Sequence, residues 1–169
     1  SPGPIFYYQE RAGKNFKKFK CIKFRTMVQN ADQVLETMMA NCPEMRAEFE
    51  DNFKLREDPR ITWIGKFLRL TSLDEFPQFW NVLMGDMSLV GTRPPTIDEV
   101  DKYDTHHLQR LNVKPGITGE WQVNGRSTVK NFEDIVNMDL HYQNKWSLWY
   151  DFSLIFKTVI VVFNKQGAY

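Results

Sequence analysis

Residues 69–78 read RLTSLDEFPQ, and residues 91–95, after one intervening segment, read GTRPP. The first stretch carries two adjacent carboxylates, Asp74 and Glu75. Apolar side chains recur around them at helical spacing, at Leu73, Phe76, Trp80, Leu83, Met84 and Met87. This pattern predicts a helix that buries the apolar face and presents the two carboxylates at its start. Gly85 is suited to end the helix, because glycine accepts the left-handed conformation found there.

The residues around the carboxylate pair support two interpretations. Ser72 to Glu75 fits a capping box, in which Ser72 is the N-cap, Glu75 reaches back to it and Asp74 is favoured by the helix dipole. Pro77 complicates this, because it removes a backbone donor and disfavours helical geometry at Phe76. A first turn kinked in this way would turn the carboxylates out of their caps and leave them available for chemistry.

The spacing of the two carboxylates favours chemistry at phosphorus over glycoside hydrolysis. Carboxylates that act on a glycosidic bond approach it from opposite sides and are about 5 Å or more apart. Two adjacent residues instead suit a division of labour, in which one attacks a phosphorus atom and the other holds a metal or accepts a proton. Aspartate is a feasible nucleophile for such a transfer. In the GTRPP stretch, proline and glycine would hold Arg93 in place, where its guanidinium can meet two phosphate oxygens.

Composition indicates one folded domain over residues 1–169. The chain is 42% hydrophobic and 25% charged, so it can bury a hydrophobic core without disulfides or structural metals. Its net charge is only +1, so no overall positive potential favours nucleic-acid binding. Cys21 and Cys42 form no Cys-x-x-Cys motif and have no suitable His partner, and are interpreted as reduced, structural thiols.

Strand-like composition at residues 5–10 and 16–27, with a plausible turn at residues 13–15, predicts an antiparallel hairpin. Its second arm is unusually basic, with lysines that alternate with aromatic and aliphatic residues. Such an arm is either an edge strand guarded by lysines or a patch that faces anionic lipid headgroups. Nucleic-acid binding is disfavoured, because it needs a broader basic surface.

The remaining pattern predicts mainly helices, at residues 31–57 (divided at Pro43), 61–70, 97–111 (capped by Thr96), 131–145 (capped by Asn131) and 146–163, with a short strand at residues 120–123. The last helix is rich in apolar and aromatic residues but contains Asp151 and Lys157. It therefore fits the membrane interface or the core better than a membrane span. The predicted fold is mixed α/β and mostly helical: a small antiparallel β-hairpin and short strands surrounded by amphipathic helices, associating with a membrane.

Ordered motifs along nearly the whole chain resemble one protein family. They are Ser1-Pro2-Gly3-Pro4, Lys23-Phe24-Arg25-Thr26-Met27, Asp58-Pro59-Arg60-Ile61-Thr62, the two stretches quoted above with residues 81–91 between them, Lys114-Pro115-Gly116-Ile117-Thr118-Gly119, Gln122-Val123-Asn124-Gly125-Arg126 and Trp146-Ser147-Leu148-Trp149. In these the chain resembles the bacterial sugar transferases, the monotopic polyprenyl-phosphate phosphoglycosyl transferases.

The resemblance implies a two-step transfer. Asp74 would attack the β-phosphorus of a UDP-sugar and release UMP, and a polyprenyl phosphate would then take the phosphosugar from the enzyme. From the preference of Mg2+ for carboxylate and phosphate ligands, we expect Glu75 to be a ligand of Mg2+ or a proton acceptor. The phosphate groups would be bound by Lys23, Arg69, Arg93 and Arg126. Asp151 also matches a family position needed for activity, although a structural pair with an arginine remains an alternative interpretation.

The resemblance also implies partners and a location. These are a UDP-sugar, polyprenyl phosphate and the inner leaflet of the bacterial inner membrane, at its cytoplasmic face; self-association is left open, and no nucleic acid is expected. Because family members carry a hydrophobic re-entrant segment before the first motif, we expect this chain to be the catalytic domain without its anchor. The variant at residues 119–122 resembles members that transfer hexose 1-phosphate, glucose or galactose, in exopolysaccharide or capsule synthesis. Alternatives are a catalytically silent scaffold of polysaccharide assembly and a hydrolase.

Overall fold

The computed structural model describes residues 2–52, 55, 58–125, 129 and 131–163. In chain order its elements are β1 (Phe6–Ala12), β2 (Lys18–Phe24), α1 (Ala31–Asn41), α2 (Pro43–Asn52), α3 (Trp63–Leu70), α4 (Gln78–Leu83), β3 (Ser88–Val90), α5 (Ile97–Val100), α6 (Thr105–Leu108), β4 (Gly116–Thr118), α7 (Glu120–Asn124), α8 (Phe132–Lys145) and α9 (Leu148–Phe163). Single 3-10 turns occupy Lys14–Phe16, Leu73–Glu75 and Gln109–Asn112. The expected mixed, mostly helical fold is confirmed.

Strands β1 and β2 form the predicted antiparallel hairpin, with Phe6 opposite Phe24 and Ala12 opposite Lys18. β2 alternates between faces, since Phe19 and Cys21 are buried while Lys18 and Lys20 are exposed. Phe19 and Cys21 pack with Met87 in one core cluster. Lys18 and Lys20 therefore point to solvent, whereas Lys23 is partly buried.

The start of α3 is fixed to the chain that follows β2. Thr62 is its N-cap and accepts a hydrogen bond from the Gly65 amide at 3.0 Å, while the Thr62 amide donates to the carbonyl of Thr26 at 2.9 Å. Gly65 is buried, and any Cβ there would collide with that same carbonyl. Only glycine allows α3 to lie this close to the chain that follows β2. This close approach also brings Arg69, in the last turn of α3, near that segment.

The predicted capping box at Ser72 is wrong. Ser72 adopts the left-handed conformation (φ 56°, ψ 16°) and its side chain makes no cap hydrogen bond. Asp74 and Glu75 lie in the 3-10 turn, and α4 begins only at Gln78, directly after Pro77. Proline suits the start of a helix because it has no amide to donate. The expected effect of Pro77 on Phe76 is wrong, because Phe76 keeps helical geometry (φ −54°, ψ −37°); the predicted single helix is instead divided into the 3-10 turn and α4.

The predicted buried face of the carboxylate helix is also wrong. Of its six apolar residues, Met87 is buried, but Leu73, Phe76, Trp80, Leu83 and Met84 are 41–78% exposed. α4 instead buries the polar side chains of Gln78 and Asn81. Asn81 accepts a hydrogen bond from the amide of Ile22 at 3.1 Å and donates to the carbonyl of Lys20 at 2.9 Å. α4 turns its polar side inward because that side satisfies the free backbone edge of β2.

Strands β3 and β4 form a two-stranded parallel sheet, with Ser88 opposite Gly116 and Val90 opposite Thr118. The crossover between them was predicted as one helix over residues 97–111, capped by Thr96. Thr96 does cap α5 through a capping box with Glu99. The single long helix is wrong, however, because Asp104 adopts an extended conformation and caps α6 as a new start.

The strand predicted at residues 120–123 is wrong, since α7 occupies these residues and the strand lies just before them. Glu120, in the first turn of α7, is buried and bonded to Nδ1 of His141 on α8 at 2.8 Å. That contact comes from tertiary packing and overrides the local strand propensity.

Helices α8 and α9 close the fold over β3. Tyr142 and Leu154 pack with Val90 in the second core cluster. Asn131 caps α8 by accepting a hydrogen bond from the Glu133 amide at 3.1 Å, as predicted. α9 buries Leu154 and leaves its large apolar side chains exposed, at Leu148, Trp149, Phe152, Phe156, Val159, Ile160 and Phe163. Within the described ranges, every helix is too short or too polar to cross a bilayer.

Candidate active site

The carboxylate turn lies beside β2, which brings a lysine to it. Nζ of Lys23 lies 2.7 Å from Oε1 of Glu75, and both side chains are about three-quarters buried. The left-handed conformation of Ser72 directs the chain into this turn, a conformation that costs a non-glycine residue about 1 kcal/mol or more. Such local strain is typical of functional turns, and here it positions the carboxylate pair.

Asp74 is half-buried within a set of charges. Burial raises its pKa above the ordinary range, the neighbouring Glu75 carboxylate raises it further, and Lys23 and Arg69 oppose both effects. Arg69 belongs to the last turn of α3, and its Nε donates to Oγ1 of Thr26 at 3.0 Å. Burial lowers the pKa of Arg69, and the charge of Asp74 opposes that shift. Asp74 is therefore a relatively basic carboxylate near two cations.

The GTRPP turn brings Arg93 to the same place. The amide of Ala12 at the end of β1 donates to the carbonyl of Pro95 at 3.0 Å, and the amide of Gly91 donates to the carbonyl of Thr118 at 2.9 Å. The turn is thus held on both sides. Arg93 lines one small pocket together with Lys23 and Glu75.

Two residues of this pocket, Arg11 and Gln78, were missed by the sequence analysis. Arg11 is buried, donates to the carbonyl of Pro94 at 2.8 Å and lies 3.9 Å from the carboxylate of Glu99. Burial lowers its pKa, and the nearby charge of Arg93 lowers it further. Nothing in the hairpin sequence signals this role, since it depends on contacts 83 residues away. Gln78 stands in the motif around the carboxylates, which is the signal that could have found it.

Gln122 adds a polar atom to the pocket. Its Nε2 donates to the carbonyl of Ile117 at 2.9 Å. Its Oε1 is buried and, within the described ranges, has no hydrogen-bond partner. A buried acceptor without a partner costs about 1–3 kcal/mol of stability.

Three predicted site residues, Arg69, Asp74 and Asp151, are absent from the lining of this pocket. Asp151 accepts hydrogen bonds from the hydroxyl of Tyr142 at 2.8 Å and from Nε1 of Trp146 at 3.2 Å. Asp151 therefore joins α9 to the end of α8. Its partners are the aromatic side chains of Tyr142 and Trp146, whereas the alternative interpretation had expected an arginine. Asp151 does not line the pocket. Arg126 lies outside the described residues.

The part of the chain that the structure describes contains no group of three or more His, Cys, Asp and Glu side chains that would hold a metal by themselves. The donor set at the turn is a carboxylate pair, with Lys23 and Arg93 available to phosphate. Mg2+ in proteins typically takes one or two carboxylates and completes its octahedron with phosphate oxygens and water. The residues present fit a metal that arrives with a diphosphate.

Comparison with known proteins assigns the chain to a family. A sequence model described as bacterial sugar transferase matches residues 1–165. The chain belongs to the bacterial sugar transferase family. Its order of motifs had predicted this membership, which is confirmed.

Individual relatives within the family are close. The undecaprenyl-phosphate galactose phosphotransferase of Salmonella typhimurium is 50% identical over 99% of this chain and 35% of its own length. The UDP-glucose:undecaprenyl-phosphate glucose-1-phosphate transferase of Escherichia coli is 40% identical over 100% of this chain and 35% of its own length. The exopolysaccharide production protein ExoY of Sinorhizobium fredii is 43% identical over 99% of this chain and 74% of its own length. The chain thus spans about a third of the first two relatives.

Proposed function

We propose that this bacterial sugar transferase domain transfers a sugar 1-phosphate from a UDP-sugar to polyprenyl phosphate and releases UMP. The observation that carries the proposal is the half-buried Asp74, whose pKa is raised while Lys23 and Arg69 lie near it. The names of the relatives support the reaction class and favour a hexose, galactose or glucose, as the sugar. Relatives named for galactosyl transfer and for exopolysaccharide production support a role at the start of polysaccharide synthesis.

In the first step, a carboxylate oxygen of Asp74 attacks the β-phosphorus of the UDP-sugar. The bond from that phosphorus to the bridging oxygen breaks, UMP leaves with the electron pair, and the sugar phosphate remains as an acyl phosphate on Asp74. Arg69 and Arg93 neutralise the charge that develops on the phosphate oxygens, which is the main task of a protein in phosphoryl transfer.

Glu75 and Lys23 prepare the site for this step. Glu75 raises the pKa of Asp74, which makes that carboxylate more basic, and Lys23 opposes complete loss of its charge. Mg2+, which we propose as the cofactor, would be held by Glu75 and by diphosphate oxygens and would supply charge neutralisation at the leaving phosphate.

In the second step, a phosphate oxygen of polyprenyl phosphate attacks the phosphorus of the adduct. The bond to the Asp74 oxygen breaks and the carboxylate is regenerated. The product is a polyprenyl-diphosphate sugar, and the enzyme returns to its starting state with no net proton change at Asp74.

We propose that the domain works against the cytoplasmic face of the inner membrane. Large apolar side chains are exposed on both helices that flank the carboxylate turn: Trp63 and Phe67 on α3, and Phe79, Trp80 and Leu83 on α4. Soluble proteins seldom expose so many, and such surfaces mark protein or membrane contacts.

A second feature supports the membrane proposal. A cavity of about 240 Å3 beside the end of α4 is lined by Lys14, Lys17 and Lys114 together with Gly85 and Asp86. Three lysines next to an exposed apolar helix match the chemistry of an anionic lipid surface.

The first test is intact-protein mass spectrometry after incubation with magnesium and a panel of UDP-sugars, beside an Asp74→Asn control. A mass gain of one sugar phosphate, absent in the control, would support the covalent half-reaction and name the donor. The same experiment in the presence of vesicles containing anionic lipid covers the case in which the protein needs a membrane surface to be active. No adduct and no UMP under either condition would overturn the proposal in favour of a catalytically silent scaffold.

A further inference from the structure

A second cavity shares Arg93 with the pocket at the carboxylate turn. It has a volume of about 240 Å3, and its walls include Arg93, Glu99, Tyr103, Arg110, Trp121 and Phe132. The pocket at the turn has a volume of about 30 Å3. Arg93 lines both. A ligand bound to Arg93 can therefore extend one arm toward Glu75 and a larger arm into this second cavity.

We propose that the second cavity binds the uracil and ribose of the nucleotide donor. The inference rests on the proposed function, which requires a UDP-sugar whose β-phosphorus reaches Asp74. With the diphosphate on Arg93, the sugar phosphate points to the turn and the nucleoside enters the cavity. A guanidinium is well suited to this central place, because it can contact oxygens of both phosphates.

The walls of the cavity suit a planar base. Trp121, Tyr103 and Phe132 supply three aromatic rings, and the rings of Tyr103 and Phe132 lie 5.4 Å apart. Aromatic side chains bind nucleobases by stacking, without needing a particular sequence of hydrogen bonds. The volume is below the usual range for sites that hold drug-sized ligands, which begins at about 300 Å3, and this favours a single-ring base.

A buried ion pair holds the cavity wall rigid. Arg110 donates through Nε to Asp139 at 2.8 Å, and its Nη2 lies 2.6 Å from the same carboxylate. Nη1 of Arg110 donates to the hydroxyl of Tyr103 at 2.7 Å. The guanidinium also lies 5.7 Å from the Tyr103 ring centre and 5.5 Å from that of Phe132. The aromatic wall is thus fixed before a ligand binds, which lowers the entropy lost on binding.

The charges at the mouth of the cavity suit a diphosphate with a ribose. Arg93 lies over the Trp121 ring at 5.7 Å and 4.0 Å from Oε1 of Glu99. Arg11 is also within 3.9 Å of Glu99, through Oε2. Glu99 is the anionic counterpart of both arginines in this structure. When phosphate takes over that role, the carboxylate is placed to accept a hydrogen bond from a ribose hydroxyl, a contact known from other nucleotide sites.

Binding of UMP tests the proposal without requiring turnover. Titration calorimetry would compare UMP, glucose 1-phosphate and inorganic phosphate on the protein and on its Trp121→Leu and Phe132→Leu variants. We expect about tenfold weaker UMP binding in Trp121→Leu and a smaller loss in Phe132→Leu, with unchanged binding of glucose 1-phosphate and phosphate. His106→Ala is the matched control, because His106 is exposed on α6 and does not line the cavity.

A second measurement uses the unmodified protein, so it stands if a variant fails to fold. 5-Iodo-UMP is crosslinked by light, and the modified peptide is found by mass spectrometry. Crosslinking to Tyr103, Trp121 or Phe132 supports the proposal. Crosslinking elsewhere or none at all, or UMP affinity unchanged in both folded variants, overturns it.

The outcomes separate this inference from the proposed function. If a sugar-phosphate adduct forms on Asp74 but the affinity for UMP does not depend on Trp121 or Phe132, the nucleoside role of the cavity is refuted and the proposed reaction is not. If the affinity for UMP depends on these residues but no UDP-sugar gives an adduct, the proposed reaction is refuted and the nucleotide site is not.

Discussion

Nζ of Lys23 and Oε1 of Glu75 lie 2.7 Å apart although 52 residues separate them in the chain. The contact joins the hairpin to the carboxylate turn and places a cation beside Asp74, whose pKa Lys23 lowers and Glu75 raises. The two residues therefore act on the proposed nucleophile in opposite directions. This opposition leads to a prediction about pH.

The rate of adduct formation should rise with pH as Asp74 loses its proton. This rise, the acid limb of the pH–rate profile, should lie above the pKa range of an ordinary aspartate, because burial and Glu75 raise the Asp74 pKa. Glu75→Gln removes a negative neighbour and should move that limb to lower pH. Lys23→Met removes a positive neighbour and should move it to higher pH. Single-turnover release of UMP, measured from pH 4 to 8, checks both shifts.

The direction of the shifts is the decisive result, since both variants are expected to be slower at every pH. Lys23→Arg keeps the charge and serves as the matched control, with an acid limb close to that of the unmodified protein. If Glu75→Gln and Lys23→Met moved the limb in the same direction, the electrostatic account of Asp74 would be wrong.

Asn81 should be a stability residue, because its amide pairs with two backbone groups of β2. Asn81→Leu leaves the partly buried Ile22 amide and Lys20 carbonyl without that partner, at a cost of up to about 1–3 kcal/mol for each group. Urea denaturation should show a loss of about 2 kcal/mol or more. Asn112→Leu, at an exposed position, is the control and should change stability by about 0.5 kcal/mol or less. Equal effects of the two substitutions would refute the edge-pairing role.

Arg110 should stabilise the fold more at high pH than at low pH. Burial raises the pKa of Asp139 to about 6, and Arg110 opposes that rise. A carboxyl with a raised folded-state pKa contributes stability that is present below its unfolded pKa and lost as pH rises through the folded pKa. Arg110→Met raises that pKa further, so the variant should lose stability steeply between pH 5 and pH 8, by about 3 kcal/mol at the upper end.

Urea denaturation of Arg110→Met at pH 5 and pH 8 makes this measurement. Lys102→Met, an exposed cation, is the matched control and should behave alike at both values. The double variant Arg110→Met/Asp139→Leu should recover most of the loss at pH 8, because it leaves no buried charge alone. A loss that is independent of pH would mean that Asp139 stays ionised in the variant.

The parts of the fold that sequence reasoning predicted are those decided by local chemistry. The hairpin of β1 and β2, the caps at Thr96 and Asn131 and the division at Pro43 all depend on neighbours within a few residues. The errors at Ser72 and Asp104 arise from local backbone conformation, whereas those at α7 and α4 arise where a distant contact decides the structure. α7 is a helix whose buried Glu120 reaches His141, and α4 faces inward with Asn81 because of the edge of β2.

The candidate site follows the same rule. The motif order indicated Lys23, Asp74, Glu75 and Arg93, and the structure brings Lys23, Glu75 and Arg93 into one pocket with Asp74 next in the chain. Arg11 was not predicted, because its place depends on the end of β1 pairing with the chain around Thr96. Periodicity could not have revealed that pairing.

The exposed apolar side chains of α4 lead to the last prediction. Trp80, Leu83 and Met84 are 59%, 78% and 64% exposed, so replacing all three by serine should change the free energy of unfolding only slightly, by about 0.5 kcal/mol or less for each. Had they formed the buried face that their spacing predicts, each substitution would cost about 2–5 kcal/mol.

The same triple variant should bind vesicles containing anionic lipid much more weakly, because it removes the apolar surface that would enter the headgroup region. Vesicle sedimentation and urea denaturation of one preparation measure both quantities, with exposed Thr105→Ser and Asn112→Ser as controls. A large loss of stability would place these side chains in a core, whereas unchanged stability with unchanged vesicle binding would exclude α4 from the membrane contact.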